Sequence, residues 1–255
     1  MDLLVLGSSD AFNGAGRCHA SYLVKDGDAP AIAIDFGATT MLALHRAGLR
    51  GTDVAAVLLT HLHGDHFGGL PFLVLDGMYH SVRTAPLHLV GPRGLEARFL
   101  QLFRACYIDV ADRPRGYETP FRELEPHTSL DLLGYRIETF PADHMDPPDV
   151  PLCFRITGPS GKVIGFSGDT VPCPGFFEAA RGVDLLVAEC TGLRPPCGRH
   201  IAWTDWRAML HQAEARRILL SHLSAEVRDS IPSLLAEAPP GRELIFADDL
   251  MRVTV

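Results

Sequence analysis

Short apolar runs recur along the whole chain, separated by turns rich in Gly, Pro, Asp and Ser. Runs of this length between chain breakers predict strands, and a run apolar at every position predicts a strand covered on both faces. Such runs lie at 3–6, 20–25, 31–36, 54–59, 87–90, 121–124 and 135–140. More follow at 151–157, 162–166, 183–188, 218–221, 243–246 and 251–255. Helical stretches fall between them: from Thr39 or Thr40 to Ala47, then 67–79, 95–107, 176–181, 204–215 and 224–237. Gly48 stops the first helix, and Pro71 is tolerated in the first turn of the second. No repeat, low-complexity tract or linker interrupts the pattern. Residues 1–255 are therefore expected to form a single α/β domain, with layers of helix over a strand-built core.

One polar stretch stands out against this background. The apolar run 54–59 leads into Thr60-His61-Leu62-His63-Gly64-Asp65-His66, and a small-residue turn at 67–71 follows. In extended chain alternate side chains share a face, so His61 and His63 can grip one ion from one side. Asp65 and His66 lie where the backbone turns, and can reach a second ion. A single loop His is usually only a polar surface residue. Three His and an Asp in this spacing are a donor set of mixed imidazole and carboxylate, which suits an open catalytic metal site.

Composition adds bounds. The chain has 255 residues, 47% hydrophobic and 21% charged, which is ordinary for a soluble domain with a substantial core. The net charge of -8 argues against a general nucleic-acid coat. No stretch is long and apolar enough for a membrane span, and the first residues lack a basic signal-peptide region. Cys18, Cys106, Cys153, Cys173, Cys190 and Cys197 form no Cys-x-x-Cys pair, so reduced thiols in a cytoplasmic protein are expected. Cys173 and Cys197 flank segments of interest.

Further polar residues follow later apolar runs: Asp143-His144, Gly168-Asp169-Thr170 and Ser221-His222. Singly, each reads as a turn or cap residue. Together with the first loop, they supply the donors a dinuclear site would need.

These segments resemble the metallo-β-lactamase superfamily, and within it the RNase Z-like branch. The resemblance rests on Thr60 through His66, on His144 followed by Leu152-Cys153-Phe154-Arg155-Ile156, on Gly168-Asp169-Thr170, and on Leu219-Leu220-Ser221-His222-Leu223-Ser224. It implies a four-layer αβ/βα sandwich with two divalent ions at one edge of the sheets. It also implies that His61, His63 and His144 hold one ion, that Asp65, His66 and His222 hold the other, and that Asp169 bridges. Zinc suits the His-rich set, with manganese or iron as alternatives. Asp65 would also orient the attacking water. His200, in the loop before the helix at 204–215, matches the family's proton donor, and Glu189 would orient it. His19, His45, His80, His88, His127 and His211 have no such context and read as surface or core residues.

RNase Z enzymes often carry an extended tRNA-gripping arm between the segments matching His144 and Asp169. Here 145–168 holds only a loop and a hairpin. A small-molecule ester is therefore the expected substrate, above all a small phosphodiester such as a cyclic nucleotide or cyclic phosphate. The alternatives are a sulfate ester, lactone or thioester, then tRNA 3′ processing, and a metal-stabilised binding module with no catalysis. No long nucleic acid or membrane is expected as partner, and a homodimer is allowed. Arg194 and Arg199 near the site could pair with a phosphate or carboxylate, or be solvated loop charges.

Overall fold

The computed structural model describes residues 1–210, 214–238 and 241–255. The first half of the chain supplies β1 (Asp2–Gly7), β2 (Ser21–Lys25), β3 (Ile32–Ile34), α1 (Thr40–Arg46), β4 (Ala56–Leu58), α2 (Gly64–Phe67), α3 (Leu70–Tyr79), β5 (His88–Pro92), α4 (Leu95–Cys106) and β6 (Phe121–Leu124). The second half supplies β7 (Ser129–Leu132), β8 (Tyr135–Pro141), β9 (Leu152–Thr157), β10 (Val163–Phe166), α5 (Pro174–Ala179), β11 (Leu185–Glu189), α6 (Trp203–Met209), β12 (Arg217–Ser221), α7 (Ala225–Ala236) and β13 (Glu243–Phe246). Finally β14 (Arg252–Thr254) crosses back to pair with β1. The two sheets run β14-β1-β2-β3-β4-β5-β6 and β13-β12-β11-β10-β9-β8-β7.

Strand alternation explains the layers. In β1, Leu3 and Val5 pack between the sheets, while Leu4 and Leu6 face the helices of the first half. In β11, Leu185 and Val187 point inward, while Leu186 and Ala188 share an outer core with Phe176 and Trp206. Each sheet is thus buried on both faces, which accounts for the continuous apolar runs. Burying one such Val or Leu side chain contributes about 1.5–3 kcal/mol. The expected four-layer αβ/βα sandwich is the architecture observed.

Three local readings change. The helix expected over 67–79 is split into α2 and α3, because the chain at 36–37 docks on the break: the Phe36 N–H donates to the His66 carbonyl, and Gly69 to the Phe36 carbonyl. A Cβ on Gly69 would lie 2.1 Å from the Gly37 carbonyl oxygen, so only glycine permits this approach. Strand β7 has no apolar run because it is a sheet edge, largely open to solvent. The helix expected over 204–215 is the shorter α6, which ends at Met209; residues 211–213, His211 among them, lie outside the described residues. Among the described residues no helix is long and apolar enough to cross a membrane.

The strands β3-β4-β5 and β10-β11-β12 are parallel, so the C-terminal ends of each set fall on one side. The two sheets meet there. The Leu152 N–H donates to the Thr60 carbonyl at 2.8 Å. Gly168, at φ 56°, packs so tightly on Thr60 that a Cβ would lie 2.7 Å from the Thr60 Cβ.

Candidate metal centre

Every candidate donor sits just past a strand at this seam. β4 ends two residues before Thr60; His61 and His63 follow in extended chain, and His63 is the residue before α2. Asp65 and His66 lie in the first turn of α2. His144 comes from the loop after β8, Asp169 from the turn after β10, and His222 directly after β12. His222 has φ 54°, a left-handed conformation that turns the ring out of the strand direction.

The structure gathers these residues into two adjoining sets. His61 Nε2 and His144 Nε2 lie 3.2 and 3.0 Å from His63 Nδ1. Asp65, His66, Asp169 and His222 form the second set. His66 Nε2 is 3.2 Å from Asp65 Oδ2 and 3.3 Å from Asp169 Oδ2, and His222 Nε2 is 3.3 Å from the same Asp169 oxygen. That oxygen also stands 3.8 Å from His61 Nε2 and 3.7 Å from His144 Nε2. Asp169 therefore faces both sets. His61, His66, Asp169 and His222 are buried, whereas His63 is exposed and His144 half-buried, so the cluster opens on that side.

Hydrogen bonds made behind the rings decide which nitrogens are bare. The Thr60 hydroxyl has one proton and gives it to Asp35, so His61 Nδ1 must be the donor in its 3.0 Å contact with Thr60 Oγ1. His66 Nδ1 donates to Asp35 Oδ2 at 2.8 Å, and His144 Nδ1 to the Arg199 carbonyl at 2.9 Å. In their neutral forms His61, His66 and His144 thus present an unprotonated Nε2 to the cluster. The bare Nε2 atoms of His61 and His144 then both face His63 Nδ1, at 3.2 and 3.0 Å, an arrangement that needs a cation or a proton between them. His66 Nε2 is buried with no hydrogen-bond partner. The donor set fits divalent metal ions: nitrogen-only at one end, mixed nitrogen and oxygen at the other.

The electrostatics agree. Burial would raise the Asp65 and Asp169 pKa values, but the surrounding His66 and His222 overcome this and hold both carboxyls below the usual range. Burial would lower His66, but Asp169, Asp35 and Asp65 lift it well above its ordinary value. For His222 the same contest, with Asp169 foremost, ends at about 9. Burial pushes His61 well down. The carboxylates thus favour positive charge at His66 and His222, the charge that bound metal ions would supply.

A pH prediction follows from the sign of these shifts. A raised imidazole pKa contributes stability that is complete below the unfolded value of 6.5 and lost as pH rises through about 9. The chelated protein should show a Tm that falls between pH 6.5 and about 9, and calorimetric metal binding near neutral pH should release protons. A flat Tm with no proton release would contradict the cluster's electrostatics.

On the second sheet, β11 ends at Glu189, a buried carboxylate that accepts from the Thr170 N–H at 2.7 Å, the Ile201 N–H at 3.1 Å and the Thr191 hydroxyl at 2.6 Å. His200 Nδ1 meets its two oxygens at 3.0 and 3.1 Å. The His200 ring stacks with His222 at 5.2 Å between centroids, so it stands beside the cluster. Burial would lower the His200 pKa, but its bond to Glu189 outweighs this and raises it.

Several contributors carry no motif of their own. Asp35 directly follows β3, near the end of the run 31–36, and looks like a turn residue, yet it is buried with φ 58° and bonds Thr60 and His66. Thr60 and Thr191 are seen as ring partners only when the strands are paired. His19, expected as surface or core, is a core residue beside the centre: burial lowers its pKa, and Asp65, His66 and His222 act on it. Arg199 pairs with Asp146 at 2.8 Å on the rim. Cys173 and Cys197 are free thiols that touch Thr170 and the His200 carbonyl, respectively.

Comparison with known proteins matches residues 1–233 to the family model described as Anti-Pycsar protein Apyc1. The chain is 30% identical to the uncharacterized protein Rv1339 of Mycobacterium tuberculosis over 239 residues, covering 87% of this chain and 80% of that one. It is 27% identical to a ribonuclease Z of Metallosphaera sedula over 247 residues, covering 82% and 84%. Among solved structures, the metallo-β-lactamase-fold protein YhfI of Bacillus subtilis superposes with a TM-score of 0.80 at 20% identity, covering 99% and 98%. The short form of human tRNase Z superposes with a TM-score of 0.78 at 22% identity, covering 100% and 99%.

Proposed function

Since this chain belongs to the Anti-Pycsar protein Apyc1 family, among the RNase Z-like metal-dependent hydrolases of metallo-β-lactamase fold, we propose that it hydrolyses a small phosphodiester, a cyclic nucleotide or cyclic phosphate. The observation that carries this reading is a single carboxylate, Asp169, set between two donor sets with the Glu189–His200 pair alongside.

His61, His63 and His144 would hold one ion and Asp65, His66 and His222 the other, with Asp169 shared. Zinc suits the imidazoles, and manganese or iron the carboxylates. When bound, two divalent ions supply Lewis acidity and lower the pKa of water toward neutrality. The protein's own groups do the rest. Asp65, held as a carboxylate, accepts a hydrogen bond from the attacking water and orients it. Glu189 pins His200 by Nδ1, leaving Nε2 to donate a proton to the departing oxygen. Its raised pKa keeps that proton in place near neutral pH.

A small substrate is favoured because the link from His144 to Asp169 is a loop plus the tight β9–β10 hairpin, with no arm to grip an RNA. The net charge of -8 also disfavours a long phosphate backbone. Six free cysteines suit a reducing cytoplasm. Residues 1–255 would act as one hydrolase domain, alone or as a homodimer.

The test couples metal content per chain to hydrolysis of bis(p-nitrophenyl) phosphate, cyclic nucleotides, an aryl sulfate, a lactone, a thioester and a precursor tRNA. Phosphodiester turnover with near two metals per chain supports the reading. Turnover confined to another ester, or to the tRNA, overturns it. His200→Ala should keep both metals yet slow cleavage of a poor leaving group by about 10²–10⁴-fold, with a smaller effect on p-nitrophenolate departure. Equal slowing for both leaving groups would remove its role as proton donor.

A further inference from the structure

We infer that Thr191 is a positioning residue through which Glu189 fixes His222, so that one buried carboxylate orients a donor of the second metal set and His200 together. Glu189 and Ser221 are register partners where β11 and β12 run in parallel. The residues just beyond them, Thr191 and His222, are thereby brought side by side. Thr191 Oγ1 lies 2.6 Å from Glu189 Oε2 and 2.9 Å from His222 Nδ1.

Proton counting gives the contact a direction. A carboxylate only accepts, so the single hydroxyl proton of Thr191 goes to Glu189. His222 Nδ1 must then donate to Thr191 Oγ1, which turns Nε2 toward Asp65 and Asp169. This matters more for His222 than for a donor inside regular backbone. Its left-handed φ of 54° swings the ring away from the strand's side-chain rows, and among the described residues Thr191 Oγ1 is the hydrogen-bond partner of its Nδ1. The arrangement mirrors that of the first sheet. There Asp35 takes His66 directly and His61 through the Thr60 hydroxyl. Here Glu189 takes His200 directly and His222 through Thr191. Thr191 is itself anchored by its backbone N–H to the Ile201 carbonyl at 3.0 Å, beside the loop that carries His200.

The inference rests on the metal-centre reading and not on the substrate, so its test reads zinc retention. Thr191→Val keeps the side-chain shape and removes the hydroxyl. In competition with a chromophoric chelator, one of the two zinc ions should bind about 10–100-fold less tightly in this variant. The other zinc should be unaffected, and Thr191→Ser should restore wild-type affinity. Two zinc ions held at wild-type affinity by Thr191→Val would overturn the inference. So would Thr191→Ser failing as badly as valine, since the methyl group and not the hydroxyl would then matter. If Thr191→Val does not fold, the ¹⁵N spectrum of zinc-loaded wild-type protein decides: a His222 protonated at Nδ1 is expected, and a bare Nδ1 would overturn it. Failure to find phosphodiester turnover leaves these outcomes unchanged and bears only on the substrate.

Discussion

Asp169→Asn protein should hold no more than one metal per chain and lose roughly a thousandfold or more of its turnover, the scale of several kcal/mol of electrostatic stabilisation. The expectation follows from one oxygen. Asp169 Oδ2 faces His66 and His222 at 3.3 Å and His61 and His144 at 3.8 and 3.7 Å, so this one oxygen serves both sets. An amide is near-isosteric but neutral, and it leaves the nitrogen-rich first set without a carboxylate. Metal analysis on gel-filtered protein checks it, with circular dichroism to show that the fold survives. Two tightly bound metals with undiminished turnover would mean that Asp169 does not bridge.

The second large effect concerns a residue outside the donor set. Asp35→Ala should destabilise the protein by about 3–5 kcal/mol, because removing one partner of a buried charged network strands the others. The Thr60 N–H and hydroxyl and the His66 Nδ1–H all lose their acceptor. Alanine is also poorly suited to the left-handed φ of 58°. For a chain of this size the Tm should fall by about 6–20 °C. Asp35→Asn separates the contributions. Asparagine tolerates the backbone and can still accept from Thr60, but its NH₂ would confront the His66 Nδ1–H. It should spare most of the stability and cost about 10–100-fold in metal affinity. Thermal melts and chelator competition on both variants decide the matter. A loss under 1 kcal/mol in Asp35→Ala would show that the network contributes little.

Both predictions mark the border of what the chain reveals without its fold. Strongly apolar runs at 54–59, 183–188 and 218–221 called for strands covered on both sides, and the two outer cores supply that cover. The spacing of His61, His63, Asp65 and His66 announced a metal loop because alternation and the helical turn act over a few residues. His144, Asp169 and His222 became legible only by resemblance, since each alone looks like a turn residue. The break between α2 and α3 was hidden, because it is imposed by the chain at 36–37 and not by local propensity.

The sequence by itself determined the local frame: which runs become strands, which loop carries four donors within seven residues, and that the chain should fold as layered α/β. Tertiary structure alone decided how those donors are held. Asp35 reaches Thr60 and His66 across 25 and 31 positions, and Thr191 reaches His222 across 31. Periodicity cannot encode such pairs, because they exist only once the parallel strands are in register. Side-chain hydrogen bonding then fixes which nitrogen of His61, His66, His144 and His222 is bare, and that choice turns their donors toward one another.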